Sequence, residues 1–362
     1  MRILWHSYNP QSTFSYGVLS RRILPHLVDA GHEVIVAAML SGVGFRPFDL
    51  DLDGRRIKII SFNSSGLIGE LAGAVEADRT ALCCDVHRIP PDVMERIGVH
   101  AWSPVHHDFE TDSVLAGFRA AGGVAIYSDW GTRSLAQFGI EADHIPCPVD
   151  LDVYAPADKM EARRRRFREF GDYFLISMIG INRDFDSKGY SEALQAFAIF
   201  AGKHPEARLY LHTNRGGGMA LDRMIERLGI AGRVWFPPEM ESSAFLLGDD
   251  YMADLFNASD AFLNTSRWEG FGLPVLEAQA CGVPVIAPAA HATEEIIFNG
   301  WPVSGQWMFA RDSHKIFVCD VDSIVDALEE SFTGRRARLR PAEVMGFDSK
   351  IIAGQIEAWL GG

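Results

Sequence analysis

Two series of short apolar runs, each alternating with amphipathic helical stretches, flank a proline-rich segment at residues 146–156. This alternation constrains the fold more than any other feature. In the first series, residues 2–5, 33–38, 57–61, 81–85, 101–105 and 124–128 read as strands. Residues 20–30 and 132–138 read as helices, closed by Gly31 and Gly139 in the position where a left-handed residue ends a helix. The second series gives strands at 173–179, 208–213, 234–236, 261–264 and 283–287, with helices at 190–200, 219–228, 252–258 and 274–280. Alternation of this kind builds βα units, which pack helices against a mainly parallel sheet.

The segment between the series, I-P-C-P-V-D-L-D-V-Y-A-P, contains Pro146, Pro148 and Pro156 and reads as an extended connector. A polar, arginine-rich helix at 159–170 follows it. The expected organisation is a domain at 1–155, a second at 156–345, and a terminal helix at 346–362 that could return to the first domain. Ligands of open α/β sheets bind beyond the carboxyl ends of the strands, so each domain should carry its chemistry there.

Charge narrows the partners. Lys and Arg number 34 against 48 Asp and Glu, a formal net charge of −14. A broad acidic surface repels a phosphate backbone, which excludes nucleic acid as the expected partner. Two basic runs, 163–168 and 335–340, read as a solvated helix face or linker, with contact to an acidic membrane or polyanion as the alternative. The five cysteines, Cys83, Cys84, Cys147, Cys281 and Cys319, fit no zinc spacing and read as reduced thiols. The start, M-R-I-L-W-H-S-Y, is too short and polar for a signal peptide, and no run of about 18 apolar residues could span a bilayer. A cytoplasmic protein with at most peripheral membrane contact is expected.

The segment S-R-W-E-G-F-G-L-P-V-L-E-A-Q-A-C-G-V-P-V-I-A-P, residues 266–288, carries the most chemistry. It follows a strand. Gly270 and Gly272 allow close backbone approach to a ligand. Pro274 suits the first turn of a helix, where its missing N–H costs nothing. The amides near Gly272 and Leu273 would face outward at a helix N-terminus, which is an anion site suited to a diphosphate. Glu269 stands before the turn, and Glu277 is expected in the first helical turn. Carboxylates accept hydrogen bonds from sugar and ribose hydroxyls. Taken alone, Glu277 could simply favour the helix start and Glu269 could be a surface acid.

Residues 269–287 resemble the core motif of the retaining GT-B glycosyltransferases, E-G-F-G-L-P-x-L-E-A-x-A-x-G-x-P-V-I-A. That family includes sucrose and glycogen synthases and many bacterial mannosyl- and glucosyltransferases. The resemblance implies a GT-B fold, with two Rossmann-like α/β/α domains facing a central cleft. It implies transfer of a hexose-type sugar, with retention and without a metal, from a nucleotide diphosphate sugar to an unidentified acceptor. The donor is then a substrate and no cofactor is needed. Glu269 should lie near the donor sugar and Glu277 should hold the ribose, while Gly270, Phe271, Gly272 and Leu273 meet the diphosphate or sugar. I-G-I-N-R-D-F-D-S-K-G, residues 179–189, is similar to the loop where the family places a basic pair on the diphosphate. Lys188 matches the family lysine, and Arg183 stands two residues beyond the usual arginine position. I-P-C-P-V-D resembles the family connector, with Pro148 replacing a glycine.

In the first half, S-Y-G-V-L-S-R-R places Gly17 where the family brings a glycine loop to the donor phosphate. W-S-P-V-H-H-D-F ends a strand, and His106 and His107 match positions near the donor sugar. Neighbouring strand residues point to opposite faces, which disfavours a shared metal there. Asp85, His87 and Arg88 are candidates for the acceptor side. Asp-x-Asp sequences at Asp49, Asp51 and Asp53, at Asp150 and Asp152, and at Asp320 and Asp322 are scattered and read as chance. A GT-B epimerase, a phosphorylase, and an inactive nucleotide- or carbohydrate-binding relative are the competing readings.

Overall fold

The computed structural model describes residues 1–39, 47–108, 110–237, 247–310, 314–334 and 338–361. The chain forms two compact units, residues 1–150 with 347–362, and residues 151–346.

In the first unit the chain runs through β1 (Arg2–Tyr8), α1 (Ser15–Asp29), β2 (Glu33–Met39), β3 (Phe48–Leu52), β4 (Arg55–Ser61) and α2 (Ile68–Ala74). It continues through β5 (Arg79–Leu82), α3 (Pro91–Ile97), β6 (His100–Ser103), α4 (Asp112–Ala120), β7 (Gly123–Ile126), α5 (Asp129–Ala136) and β8 (Asp143–His144). The sheet order is β3-β4-β2-β1-β5-β6-β7-β8. Every pair is parallel except β3–β4, which is antiparallel at the edge. β1 is covered on both faces, so Ile3, Leu4, Trp5, His6 and Ser7 are all buried and its sequence lacks polar alternation. Leu4, Ile35, Leu82, Ala101 and Ile126 pack on Val93, Leu115, Phe118 and Leu135 from the helices. Asp49 and Asp51 lie exposed on edge strand β3.

The second unit runs through α6 (Lys159–Arg166), β9 (Phe174–Ile179), α7 (Tyr190–Lys203), β10 (Ala207–His212), α8 (Leu221–Arg227), β11 (Val234–Trp235), α9 (Asp249–Ala258) and β12 (Ala261–Leu263). Then come α10 (Leu273–Ala280), β13 (Val285–Pro288), α11 (His291–Glu294), β14 (Gly300–Val303), β15 (Gly305–Phe309), β16 (Lys315–Cys319) and α12 (Val321–Phe332). Six parallel strands take the order β11-β10-β9-β12-β13-β14, and β15–β16 form a separate antiparallel hairpin. Ile176, Leu209 and Leu211 meet Phe197, Phe200 and Leu328 on one face of the sheet, while Leu175 and Tyr210 meet Phe167, Phe170 and Leu255 on the other. The final helix, α13 (Ser349–Gly361), packs against α1 in the first unit.

The basic run at 163–168 is built into the second unit and is not simply a solvated face. Arg163 is buried and donates to the carbonyls of Ala258, Gly171 and Tyr173 at 2.7–2.8 Å and to Asp260 at 2.8 Å. Arg165 and Arg166 pair with Asp254 at 2.9 and 2.6 Å. Of the second run, residues 335–337 lie outside the described residues. Arg338 donates to backbone carbonyls at Asn257 and Ser259, and Arg340 to those of Leu151, Tyr154 and Ala280. All five cysteines are buried and unbonded to one another. Among the described residues no helix is long and apolar enough to cross a membrane.

Candidate functional site

The second sheet changes direction of travel between β9 and β12. From β9 the chain passes through α7 to β10 and β11, then crosses back to β12 on the other side. The loops leaving β9 and β12 therefore diverge at their carboxyl ends and open a crevice, the usual ligand position in such sheets. These loops carry Lys188 and Glu269, and the structure brings the two together. The Lys188 ammonium is in direct contact with the Glu269 carboxylate, and Ser266 Oγ donates to Glu269 Oε1 at 2.8 Å. Burial opposes ionisation of Glu269. The Lys188 charge, hydrogen bonds from Lys188 and Ser266, and the charge of His291 outweigh it, and the carboxyl sits below the ordinary glutamate value.

Two glycines set this geometry. A Cβ at Gly180 would lie 2.7 Å from Lys188 Cγ, so the glycine makes room for the lysine stem. Gly189 has φ +66°, and a Cβ there would stand 2.1 Å from the Thr265 carbonyl oxygen. Thr265 Oγ1 in turn donates to the carbonyls of Lys188 and Gly189 at 2.8 and 2.9 Å, which fastens one loop to the other. Asp186 accepts from the amides of Tyr190 and Ser191 at the start of α7, and from Arg267 at 3.3 Å. Arg267 also pairs with Glu192 at 2.7 Å.

Gly272 caps α10 with φ +100°, and Pro274 follows in the first turn. Because α10 begins at Leu273, Glu277 is its fifth residue, just past the first turn in which the sequence reading placed it. Glu277 is nonetheless buried, on the same short helix whose first residues follow Glu269. Gly270 and Phe271 are buried and Leu273 is half-buried. Arg183 is exposed and is not drawn into the Lys188–Glu269 pair. Sequence reasoning missed Ser266, Asp186, Arg267 and His291. Ser266 and Arg267 stand just before the motif, but nothing in a linear reading distinguishes their polar contacts from solvated ones. His291 is buried at the start of α11 with φ +44°, a conformation uncommon for a residue bearing a Cβ.

The first unit has its own direction change, between β1 and β5. There Tyr16 donates to Asp85 Oδ1 at 2.7 Å, and His106 Nε2 lies 3.2 Å from the same oxygen. Burial disfavours the Asp85 carboxylate. The hydrogen bond and charge of His106, the Tyr16 hydroxyl and His87 reverse that effect and hold its pKa at about 2. Glu110 accepts from the backbone amides of both His106 and His107, at 3.0 and 3.2 Å. Gly17 lies within α1, and a Cβ there would fall 2.6 Å from the Asn9 carbonyl oxygen. Its space is filled by its own preceding loop. Tyr16, beside Gly17, was not read from the sequence because an aromatic at a helix start resembles any core residue.

Residues 160–330 match the family model described as glycosyl transferases group 1. The chain is 34% identical to the D-inositol 3-phosphate glycosyltransferase of Mycobacterium tuberculosis (strain ATCC 25177 / H37Ra) over 184 residues, covering 47% of this chain and 35% of the relative. It is 26% identical to the mannosylfructose-phosphate synthase of Agrobacterium fabrum over 166 residues, covering 42% and 34%. The matches thus span about a third of the length of these curated relatives. Among solved structures, sucrose-phosphate synthase from Thermosynechococcus elongatus superposes with a TM-score of 0.77 at 16% identity, over 99% of this chain and 98% of that one. Anabaena HepE in complex with UDP and glucose gives 0.71 at 17% identity, over 100% of both chains. The fold is that of these GT-B structures, and the segment that matches the group 1 model contains Lys188, Glu269 and Glu277.

Proposed function

We propose that this protein is a glycosyltransferase that moves a hexosyl group from a nucleoside diphosphate sugar to an acceptor, with retention and without a metal. The observation that carries this reading is the Lys188–Glu269 pair at the β9/β12 direction change, beside the start of α10. A diphosphate meeting that point finds a cation and the N-terminal end of α10, whose partial positive charge favours an anion. A sugar next to it finds a carboxylate already ionised by its lysine. By name, the matched relatives are a D-inositol 3-phosphate glycosyltransferase and a mannosylfructose-phosphate synthase, and HepE of the same fold is seen with UDP and glucose and with UDP-glucose.

In this mechanism the breaking anomeric bond leaves extra negative charge on the diphosphate. Lys188 and the N-terminal end of α10 stabilise that charge as groups fixed before the reaction, and Arg183 is the second cation that would meet it. Glu269 accepts hydrogen bonds from the sugar hydroxyls, and Glu277 accepts from the ribose. Retention follows from attack on the face the diphosphate leaves, with the leaving oxygen taking the acceptor proton. The Asp85–Tyr16–His106 cluster of the first unit is assigned to acceptor hydroxyls, which its ionised carboxylate and imidazole can both bind.

Calorimetric titration with UDP, GDP, ADP and their hexose conjugates tests the reading. The wild type should bind at least one pair. Glu277→Ala should weaken that binding about tenfold or more, and the Arg183→Ala/Lys188→Ala double variant should weaken the nucleoside diphosphate itself by a similar factor. Undiminished binding in both variants would reject the assignment.

A further inference from the structure

The hairpin β15–β16 stands apart from the main sheet and carries three exposed apolar side chains in a row, Trp307 at 49%, Met308 at 50% and Phe309 at 73% exposure. Isolated apolar residues on a surface need no account, but a large aromatic left half in water beside a polar site does. The hairpin is tied to that site by its backbone. Phe317 N donates to the carbonyl of Arg267 at 2.8 Å, two residues before Glu269, and Trp307 is the register partner of Phe317. The Trp307 ring is pinned edge-on by two others. Its centroid is 5.4 Å from Phe317 at 70°, and 6.3 Å from His291 at 83°. His291 is buried and close enough to Glu269 for its charge to act on that carboxylate. Both contacts leave part of the indole open to solvent.

We propose that Trp307 presents its exposed indole face as a stacking platform for a hexose ring held at Glu269, and so helps select the sugar. This rests on the glycosyltransferase reading above. The chemistry fits a pyranose. Its hydroxyls lie around the rim and seek carboxylates and cations, here Glu269 and Lys188. Its ring C–H groups carry slight positive charge and meet the negative face of an aromatic ring. A ring already fixed by Phe317 and His291 loses little freedom when the sugar arrives, so the contact is pre-organised. The hexose held at Glu269 is the donor's in the reading above; an acceptor sugar presents the same C–H face, and the second arm of the experiment distinguishes it.

The experiment compares wild type, Trp307→Ala and Trp307→Phe. In the donor arm, UDP and UDP-glucose, and GDP and GDP-mannose, are titrated by calorimetry. Stacking on the donor sugar predicts that Trp307→Ala weakens the sugar nucleotide about fivefold, leaves the nucleoside diphosphate unchanged, and is largely rescued by Trp307→Phe. In the acceptor arm, methyl glucoside, methyl mannoside and their phosphates are observed by saturation-transfer NMR with the nucleotide present. Stacking on the acceptor predicts unchanged donor binding and a sugar signal lost in Trp307→Ala and regained in Trp307→Phe. No change beyond twofold in either arm overturns the proposal. So does loss of binding to phosphatidylglycerol vesicles with both sugar arms intact, which would make the hairpin a lipid contact. A wild type that binds none of the nucleotides sinks the parent reading instead, and is recognised before any variant is compared.

Discussion

Gly180 and Gly189 both clear space for the Lys188 loop, but what each clears differs, and so should the effect of filling it. A methyl at Gly180 meets only the flexible stem of Lys188. The stem can swing aside at little cost in stability, yet the ammonium then leaves Glu269. Gly180→Ala should therefore lower nucleoside diphosphate affinity about tenfold with a near-normal melting temperature, because the lost contact is a charge-assisted one. A methyl at Gly189 meets the backbone carbonyl of Thr265 and forces a side chain into positive φ. Gly189→Ala should cost about 1–3 kcal/mol or more of folding stability. Calorimetry paired with thermal unfolding separates the two. Two other residues make stability depend on pH. Burial lowers the imidazoles of His6 and His212 from 6.5 to about 4. His6 is held neutral between the Ala37 carbonyl and Ser65 Oγ, at 2.8 and 2.9 Å. Between pH 6.5 and 4 the unfolded chain takes up these protons and the folded chain does not, so stability falls as pH drops through that window and levels off below it. The slope is at most about 1.4 kcal/mol per pH unit for each histidine. His6→Gln should flatten the first unit's share of that slope in denaturant titrations at pH 7, 5.5 and 4.5. An unchanged slope would mean that His6 is already protonated in the folded state.

At the scale of the element, α6 is held by charge rather than by an apolar stripe. Its sequence, K-M-E-A-R-R-R-R, offers the core only Ala162 and the Arg163 stem. Arg163 compensates by satisfying three carbonyls and Asp260 at once. Removing it strips a donor from all three carbonyls, while Asp260 keeps Lys159 at 2.6 Å and the Leu175 amide at 2.8 Å. Arg163→Met should destabilise the second unit by about 3–5 kcal/mol, and Arg163→Lys by less, as measured by urea unfolding. A loss below about 1 kcal/mol in Arg163→Met would show that the network is not cooperative. This element also marks the limit of sequence reading. The arginine run looks solvated because its carboxylate partners, Asp254 and Asp260, lie in a distant stretch of sequence where nothing local announces them. Central strands such as β1, β9 and β10 were legible because burial on both faces leaves mostly apolar stretches without regular polar alternation. The hairpin β15–β16 was not, since G-Q-W-M-F and K-I-F-V-C lack the polar alternation of a strand with one wet face. Its exposed apolar residues break the rule that reading depends on. Within the site, Glu269 was read from the glycines and proline that follow it, which have a backbone reason to be there, and Lys188 from the resemblance of residues 179–189 to the family loop. Tyr16 and His291 were not, because their partners Asp85 and Trp307 come from other loops.

At the scale of the whole molecule, each unit places an ionised carboxylate at the point where its own parallel sheet reverses its direction of travel, Asp85 in one and Glu269 in the other. The units do not divide the chain at one point, because α13 follows the second unit in sequence and packs in the first. The connection is specific. Val149 donates to the Phe347 carbonyl at 2.8 Å and accepts from Ser349 at 3.1 Å, so the start of α13 is stitched to the end of the first unit's strand series. Further along, His32 bonds Glu357 at 3.0 Å and Arg79 donates to the Leu360 carbonyl at 2.9 Å. Ile352, Ile356 and Leu360 are fully buried, and burying three such side chains contributes roughly 5–9 kcal/mol. That rivals the whole net stability of a typical domain, about 5–15 kcal/mol. Ending the chain at Gly346 should therefore unfold or loosen the first unit, exposing the apolar face of α1 to dyes such as ANS and opening residues 1–150 to proteolysis. The second unit keeps all of its strands and the Lys188–Glu269 pair, so it should still bind a nucleoside diphosphate while turnover is lost. A truncated chain whose first unit resists protease as the full chain does would show that α13 is an accessory and not part of that unit's core.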